Sequence, residues 1–236
     1  MTVDRHLDWP NCRNARDLGG LPTVDGGSIR VGALIRSDCL QFLSDEGVAA
    51  VRSTGVSRII DLRTAAEVSR FPTPFTEDPI GLHVPVQDWD DPQDHTTIVE
   101  SCNLMLDLHP DRFAAALRAI AEAPEGPVII HCFGGKDRTG IVAALALIIA
   151  GVPEHEIIAD YALTKSRLAG MLAEQLAAEP DDSLHPHLIE YRDTRPESLT
   201  AILRHLDTHH GGPVPYLQNA GLTQSTLNTL RTRLTE

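Results

Sequence analysis

At 236 residues, 42% hydrophobic and 22% charged, the chain has the composition of an ordinary globular protein with enough length to bury a full core. Aromatic residues make up only 4%, so that core is expected to rest on Leu, Ile, Val and Ala. Lys and Arg number 20 against 33 Asp and Glu, a formal net charge of −13; this argues against a nucleic-acid surface or a stable membrane anchor, and an anionic ligand would need a local concentration of positive charge.

The longest apolar run, Ile141 to Val152, falls short of the roughly 20 residues that span a bilayer. The opening MTVDRHLDWPN carries no apolar stretch of the kind a secretory leader needs. Cys12, Cys39, Cys102 and Cys132 show no CxxC pairing, so neither a disulfide framework nor a zinc finger is expected, and a reduced cytoplasmic setting is the default. With Gly and Pro spread along the chain and no repeat, residues 1–236 read as one domain.

In chain order, VGALIRS predicts a strand ending near Ser37, and a helix follows from Ser44 with Asp45 and Glu46 in its first turn and Gly55 past its end. Val56 to about Leu62 predicts a buried strand. Thr64 and Glu67 form a T-x-x-E capping box that should open a short helix. Gly81 to Val86 predicts a third strand, followed by the acidic loop QDWDDPQD. A helix is expected from Asp111 to before Pro124, a fourth strand over Pro127 to Cys132, and a buried helix ending at Gly151. Beyond lie helices over roughly Pro153 to Glu179, Pro196 to His209, and from Thr223. Strands alternating with helices predict an α/β fold: a mostly parallel twisted sheet flanked by helices, with a helical C-terminal part. Ligands in such folds bind where a strand's carboxyl end runs into a helix.

The junction of PVIIHC and TGIVAALAL is the place where that geometry meets chemistry. It reads His131-Cys132-Phe133-Gly134-Gly135-Lys136-Asp137-Arg138-Thr139-Gly140. A cysteine ends a buried strand, an arginine begins a helix, and two glycines lie between them, free to take angles other residues avoid. Such a loop can turn its N–H groups inward as an anion nest capped by the helix N-terminus. Phe133, Gly134, Gly135, Lys136, Asp137, Arg138 and Thr139 are the expected phosphate-binding residues, with Arg138 forking onto two phosphate oxygens. The same field favours thiolate over thiol at Cys132, and Thr139 could donate its hydroxyl to that sulfur. Cys132 would then attack phosphorus and form a phosphocysteine, with no metal or other cofactor required. A nucleotide P-loop does not fit, because GGKDR lacks the Ser or Thr after lysine.

HCFGGKDRTG resembles the signature loop of the cysteine-based protein tyrosine phosphatases, and among them the atypical bacterial branch with a KDR-type loop. The resemblance extends to NARDLGG (Asn14 to Gly20), IRSD (Ile35 to Asp38), IIDLRTAAEV (Ile59 to Val68) and YLQNAGLTQSTLN (Tyr216 to Asn228), nearly the whole chain. It implies a tyrosine-phosphatase-like fold and hydrolysis of phosphomonoesters, phosphotyrosine and phosphoinositides among them. A small phosphoester such as a nucleotide, sugar or inositol phosphate would also fit the loop.

Two carboxylates compete as the general acid. Asp88 ranks first, because it follows the GLHVPV strand where related phosphatases place an aspartate. Asp137 ranks second; its closeness to the thiolate suits it to hold a proton. Asp90 and Asp91 stand behind them. Lys136 is expected at the pocket mouth, and Arg16 and Asp17 as a pair shaping the pocket wall. Only 43 residues separate Asp88 from Cys132, so any lid there is small, formed at most by His95 to Leu108. No metal site is expected: Pro92 and Val99 spoil a calcium-loop reading of DWDDPQD, and His185, His187, His209 and His210 read as surface histidines. A phosphate-binding module without turnover and a sulfur-redox enzyme such as an arsenate reductase are the competing classes. The latter needs a relay cysteine, which no motif supplies.

Overall fold

In the computed structural model, which describes residues 5–92 and 97–236, the sheet begins with the two-residue strand β1 (Arg16–Asp17), antiparallel to β2 (Leu34–Ser37). The other strands are β3 (Arg58–Asp61), β4 (Gly81–His83) and β5 (Val128–His131). Among the described residues they form one five-stranded sheet in the order β1-β2-β5-β3-β4, parallel throughout except at β1. Their side chains alternate between two cores, as the pleat requires. Leu34, Ile60, Val128 and Ile130 join one apolar cluster, while Ile35, Ile59 and Ile129 join another with Trp9, Leu40, Val51 and Phe75. A sheet buried on both faces explains why these strands read as continuous apolar runs.

The local signals for helix starts are used. Ser44 accepts from Gly47 N to cap α1 (Asp45–Ser53), and Thr64 and Glu67 form the capping box of α2 (Ala65–Arg70). A second capping box, Thr97 with Glu100, opens α3 (Ile98–Leu108). This helix corrects the lid expectation over its span: Cys102, Met105 and Leu106 are core residues, because the apolar face of α3 packs against the helical layer. His95 and Thr96 lie outside the described residues. Next come α4 (Pro110–Ala121) and α5 (Asp137–Ala150), the latter apolar all round and buried along nearly its whole length until Gly151 ends it at φ +88°. Truncating a side chain such as Leu145 to Ala there should cost about 2–5 kcal/mol.

The stretch expected as one helix over Pro153 to Glu179 divides at Leu168 into α6 (Glu154–Arg167) and α7 (Ala169–Ala178). Then follow α8 (His185–Arg192), α9 (Pro196–His210), α10 (Pro213–Asn219) and α11 (Gln224–Leu234). Helices α4, α5, α9, α10 and α11 bury their apolar faces in the larger cluster. In register, Ser37 of β2 and Asp61 of β3 flank His131 of β5, so three strand ends deliver their following loops to one place.

Candidate active site

Cys132 follows the last residue of β5 and is 3% exposed. From there the loop is held by its carbonyls. Cys39 N donates to Phe133 O at 2.9 Å, and Asn14 Nδ2 donates to Gly134 O at 3.0 Å and to Gly135 O at 3.2 Å. Arg36 adds a guanidinium bond to Gly135 O at 2.8 Å. A peptide whose carbonyl is anchored to the scaffold turns its N–H the other way. The Phe133 and Gly134 carbonyls share their peptides with the N–H groups of Gly134 and Gly135, and among the described residues no backbone carbonyl accepts from either. Together with the free N–H groups of the first turn of α5, they form a set of donors suited to an anion. Gly135 is required for this path: its φ is +62°, and a Cβ there would lie 2.3 Å from Ser37 O.

Arg138 lies in the first turn of α5, and its fork is set by α2. Its two terminal nitrogens reach Glu67 Oε2 at 2.5 Å and Oε1 at 2.9 Å. Burial pushes the Glu67 carboxyl up, but the bonds and charge of Arg138 and the amide bonds at Thr64 outweigh it and hold the group below the usual carboxylate range. For Arg138 burial works against the charge, while Glu67 and the neighbouring Cys132 raise its proton affinity above the ordinary value. Both partners therefore stay ionised, with the guanidinium plane fixed by two bonds.

On the β3 side, Arg63 grips Asp61 through Nε at 2.9 Å to Oδ1 and through its terminal nitrogen at 2.6 Å to Oδ2. Arg63 also donates to Gln41 Oε1 at 3.0 Å and to Phe71 O at 2.8 Å. Asp61 Oδ2 stands 3.7 Å from His131 Nε2, and His131 Nδ1 is 3.2 Å from Cys132 O. Complete burial pushes the His131 pKa down, although Asp61 pulls the other way, so the ring sits as a neutral spacer behind Cys132.

On the α6 side, a buried ion network replaces the pair expected between Arg16 and Asp17. Arg16 bonds Asp160 through Nε at 3.1 Å and Asn14 Oδ1 at 2.6 Å. Asp17 instead accepts the amides of Gly19 at 2.8 Å and Gly32 at 2.7 Å. The antiparallel pairing of β1 with β2 explains this, since residues adjacent in a strand point to opposite faces. Asn14, Arg36, Glu67 and Asp160 were not singled out as parts of the site by sequence reading. The first three lie in or beside the quoted motifs, but their partners are far away in sequence.

Several placements differ from expectation. Lys136 is buried rather than at a pocket mouth, its Nζ drawn to 2.9 Å from Asp137 Oδ1. The Thr139 hydroxyl is buried and makes no hydrogen bond among the described residues, so it does not reach Cys132. Asp88 is exposed, and its Oδ2 lies 2.5 Å from Arg112, whose hydrogen bond lowers its pKa. Asp91 bonds His109 at 2.8 Å, and Asp90 is exposed. Asp137 occupies the first turn of α5 beside Arg138. Cys39 donates to Gln41 Oε1 at 3.1 Å and is pushed up to about 12 by burial, while burial also raises Cys12 and Cys102. None of these three is prepared as a thiolate relay. His210 has neighbours that sequence spacing did not suggest: its Nε2 and that of His205 each lie 2.8 Å from Asp107 Oδ1. His185 Nε2 is 3.1 Å from Glu179 O, and the side chain of His187 lies outside the described residues.

Residues 7–236 match the family model described as the tyrosine phosphatase family. The chain is 29% identical over 271 residues to the triple specificity protein phosphatase PtpB of Mycobacterium tuberculosis, covering 95% of this chain and 97% of that protein. It is also 29% identical over 240 residues to a tyrosine-protein phosphatase of Nostoc commune, covering 90% of this chain and 78% of that protein.

Proposed function

This chain belongs to the tyrosine phosphatase family and is a cysteine-dependent phosphatase, and from that premise we propose that residues 1–236 act as one domain whose Cys132–Arg138 loop hydrolyses aryl phosphomonoesters, phosphotyrosine above all. The observation that carries the reading is the outward anchoring of the Phe133, Gly134 and Gly135 carbonyls by Cys39 N, Asn14 and Arg36.

In the first step the Cys132 thiolate attacks phosphorus in line, forming the S–P bond as the P–O bond to the alcohol breaks. The equatorial oxygens meet the loop N–H groups and the Arg138 guanidinium, whose plane Glu67 fixes. Asp137 gives its proton to the leaving oxygen. It then takes a proton from water as that water attacks phosphorus, releasing phosphate and returning Cys132 as thiolate. The charge developed in both steps is met by protein groups, so no metal is required. Asp137 is placed ahead of Asp88, reversing the order that sequence suggests. Both carboxylates face a cation, Lys136 and Arg112 respectively, but Asp137 shares the first turn of α5 with Arg138, whereas Asp88 faces solvent.

The net charge of −13 supports a substrate that is neither nucleic acid nor an acidic bilayer surface, and a cytoplasmic setting fits the buried free cysteines. Among the described residues no helix is long and apolar enough to cross a membrane. Hydrolysis of an aryl phosphate with EDTA present, inhibited by vanadate, is the expected behaviour. Loss of activity on chelation would contradict the mechanism. A panel comparing phosphotyrosine peptides, phosphoinositides and sugar or nucleotide phosphates by kcat/KM tests the substrate class; a preference for phosphoinositides or for the small metabolites would overturn it.

A further inference from the structure

Asp160 on α6 is a buried carboxylate that none of these steps uses. Its side chain is 1% exposed and faces three arginines. Oδ1 accepts from Arg5 at 2.9 Å and Arg16 Nε at 3.1 Å, and Oδ2 accepts from Arg36 at 2.9 Å and Arg16 at 3.2 Å. Three guanidiniums around one carboxylate leave positive charge in excess in a space nearly closed to water. A network built for stability alone would gain by balancing its charges or by replacing them with apolar groups.

The excess has a structural use, visible in where the remaining nitrogens point. One terminal nitrogen of Arg36 goes to Asp160 and the other to Gly135 O at 2.8 Å. Arg16 likewise turns from Asp160 to Asn14 Oδ1 at 2.6 Å, and Asn14 Nδ2 passes on to Gly134 O and Gly135 O. Two separate paths lead from one carboxylate to the carbonyls of the two loop glycines. Helix α6 is itself fixed against both β1 and α5. Thr164 Oγ1 accepts from Arg16 at 3.1 Å, and the Tyr161 ring lies so close that a Cβ on Gly140 would be 2.8 Å from it. Displacing α6 would therefore disturb both the network and the start of α5.

We propose that Asp160 is a positioning residue for the phosphate loop: by fixing Arg16 and Arg36 it keeps the Gly134 and Gly135 carbonyls turned away, so that the loop N–H groups face the substrate phosphate. This rests on the reading of the loop as the phosphate site. Asp160 touches no reacting atom, and its effect is greatest where the phosphoryl group needs all its donors at once, in the five-coordinate transition state.

The test is Asp160→Asn, which keeps the shape but removes the charge and turns an N–H toward a guanidinium. Turnover and binding are measured per folded molecule, after thermal melting establishes the folded fraction. The expected result is a fall of about 10–100-fold both in kcat for an aryl phosphate and in vanadate affinity, with a smaller loss for inorganic phosphate. A merely structural role would lower the melting temperature and leave these per-molecule values alone. If Asp160→Asn does not fold, Asn14→Ala decides, because it cuts one path at the loop without stranding a charge. Per folded molecule it should weaken vanadate more than phosphate, with the fall in melting temperature from the lost buried bonds to Arg16, Gly134 O and Gly135 O corrected for in the same way. Unmodified kcat and vanadate affinity in folded Asp160→Asn, or in Asn14→Ala when the first does not fold, would overturn the assignment. An unmodified protein that binds neither vanadate nor phosphate would instead overturn the reading of the loop, and this assignment with it.

Discussion

Glu67 and Arg138, 71 residues apart in sequence, meet as a two-point ion pair at 2.5 and 2.9 Å. Glu67 also completes the capping box of α2 by accepting from Thr64 N at 2.8 Å. One carboxylate therefore caps the start of one helix and aims an arginine on another. Glu67→Gln keeps the cap's shape but lets the guanidinium swing, and should lower kcat/KM for an aryl phosphate by ~10–100-fold, more through kcat than KM. Steady-state kinetics beside a thermal melt checks this; unchanged kinetics would show that Arg138 needs no such support.

The two loop glycines should respond differently to a methyl group. At Gly135 a Cβ meets Ser37 O at 2.3 Å and φ is +62°, whereas at Gly134 the nearest atom is Leu168 Cδ1 at 3.7 Å. Gly135→Ala should destabilise the fold by about 1–3 kcal/mol and remove vanadate binding, while Gly134→Ala should be tolerated far better. Denaturant melts and vanadate titrations on both variants check the contrast, and equal behaviour of the two would contradict the geometry.

The loop and its flanking elements were legible because their chemistry is contiguous. His131 to Gly140 carries nucleophile, glycines and arginine in a single stretch, between an apolar run that must be a buried strand and another that must be a buried helix. The capping boxes are local too, and Thr64 with Glu67 formed as their spacing implies. What could not be read is what depends on long-range contact. Nothing near Arg138 points to Glu67, and nothing near Arg36 points to Asp160. Lys136 looked exposed because a lysine usually is; the adjacent Asp137 draws it in. Helix α3 was readable in principle: Thr97 and Glu100 give a second capping box, and Cys102, Met105 and Leu106 mark its inner face. At α10, Pro213 and Pro215 look like helix breakers, although a proline in the first turn favours a helix.

The general acid is distinguished by leaving group. Asp137→Asn should slow hydrolysis of an alkyl phosphate by about 10²–10⁴-fold and that of a nitrophenyl phosphate much less, because nitrophenolate leaves without a proton. Asp88→Asn should change neither by more than a few-fold. If Asp88→Asn shows the leaving-group dependence and Asp137→Asn does not, the roles are reversed.

Stability should fall on acidification in two stages. Burial holds His131 below its ordinary 6.5, so as pH drops past 6.5 the unfolded chain takes up that proton before the fold does, and stability declines from there. Asp160, Asp61 and Glu67 are pushed up by burial but held below their ordinary 3.8 to 4.5 by their basic partners. Their contribution is complete above those ordinary values and is lost as pH falls through the lower folded ones. Calorimetry between pH 8 and pH 3 should show a shallow fall in Tm beginning near 6.5 and a steeper one below about 4.5. A Tm that rises on acidification across this range would contradict the assignment.

The most direct measurement is acid-quenched single turnover of an aryl phosphate, followed by peptide mapping for a phosphoryl group. The phosphoryl group is expected on the peptide containing Cys132, appearing with the released phenol and disappearing as free phosphate forms. Cys132→Ser should show no turnover while still binding phosphate, since the loop donors and Arg138 remain. A Cys132→Ser protein that turns over at the unmodified rate, or a phosphoryl group found on another residue, would contradict the account.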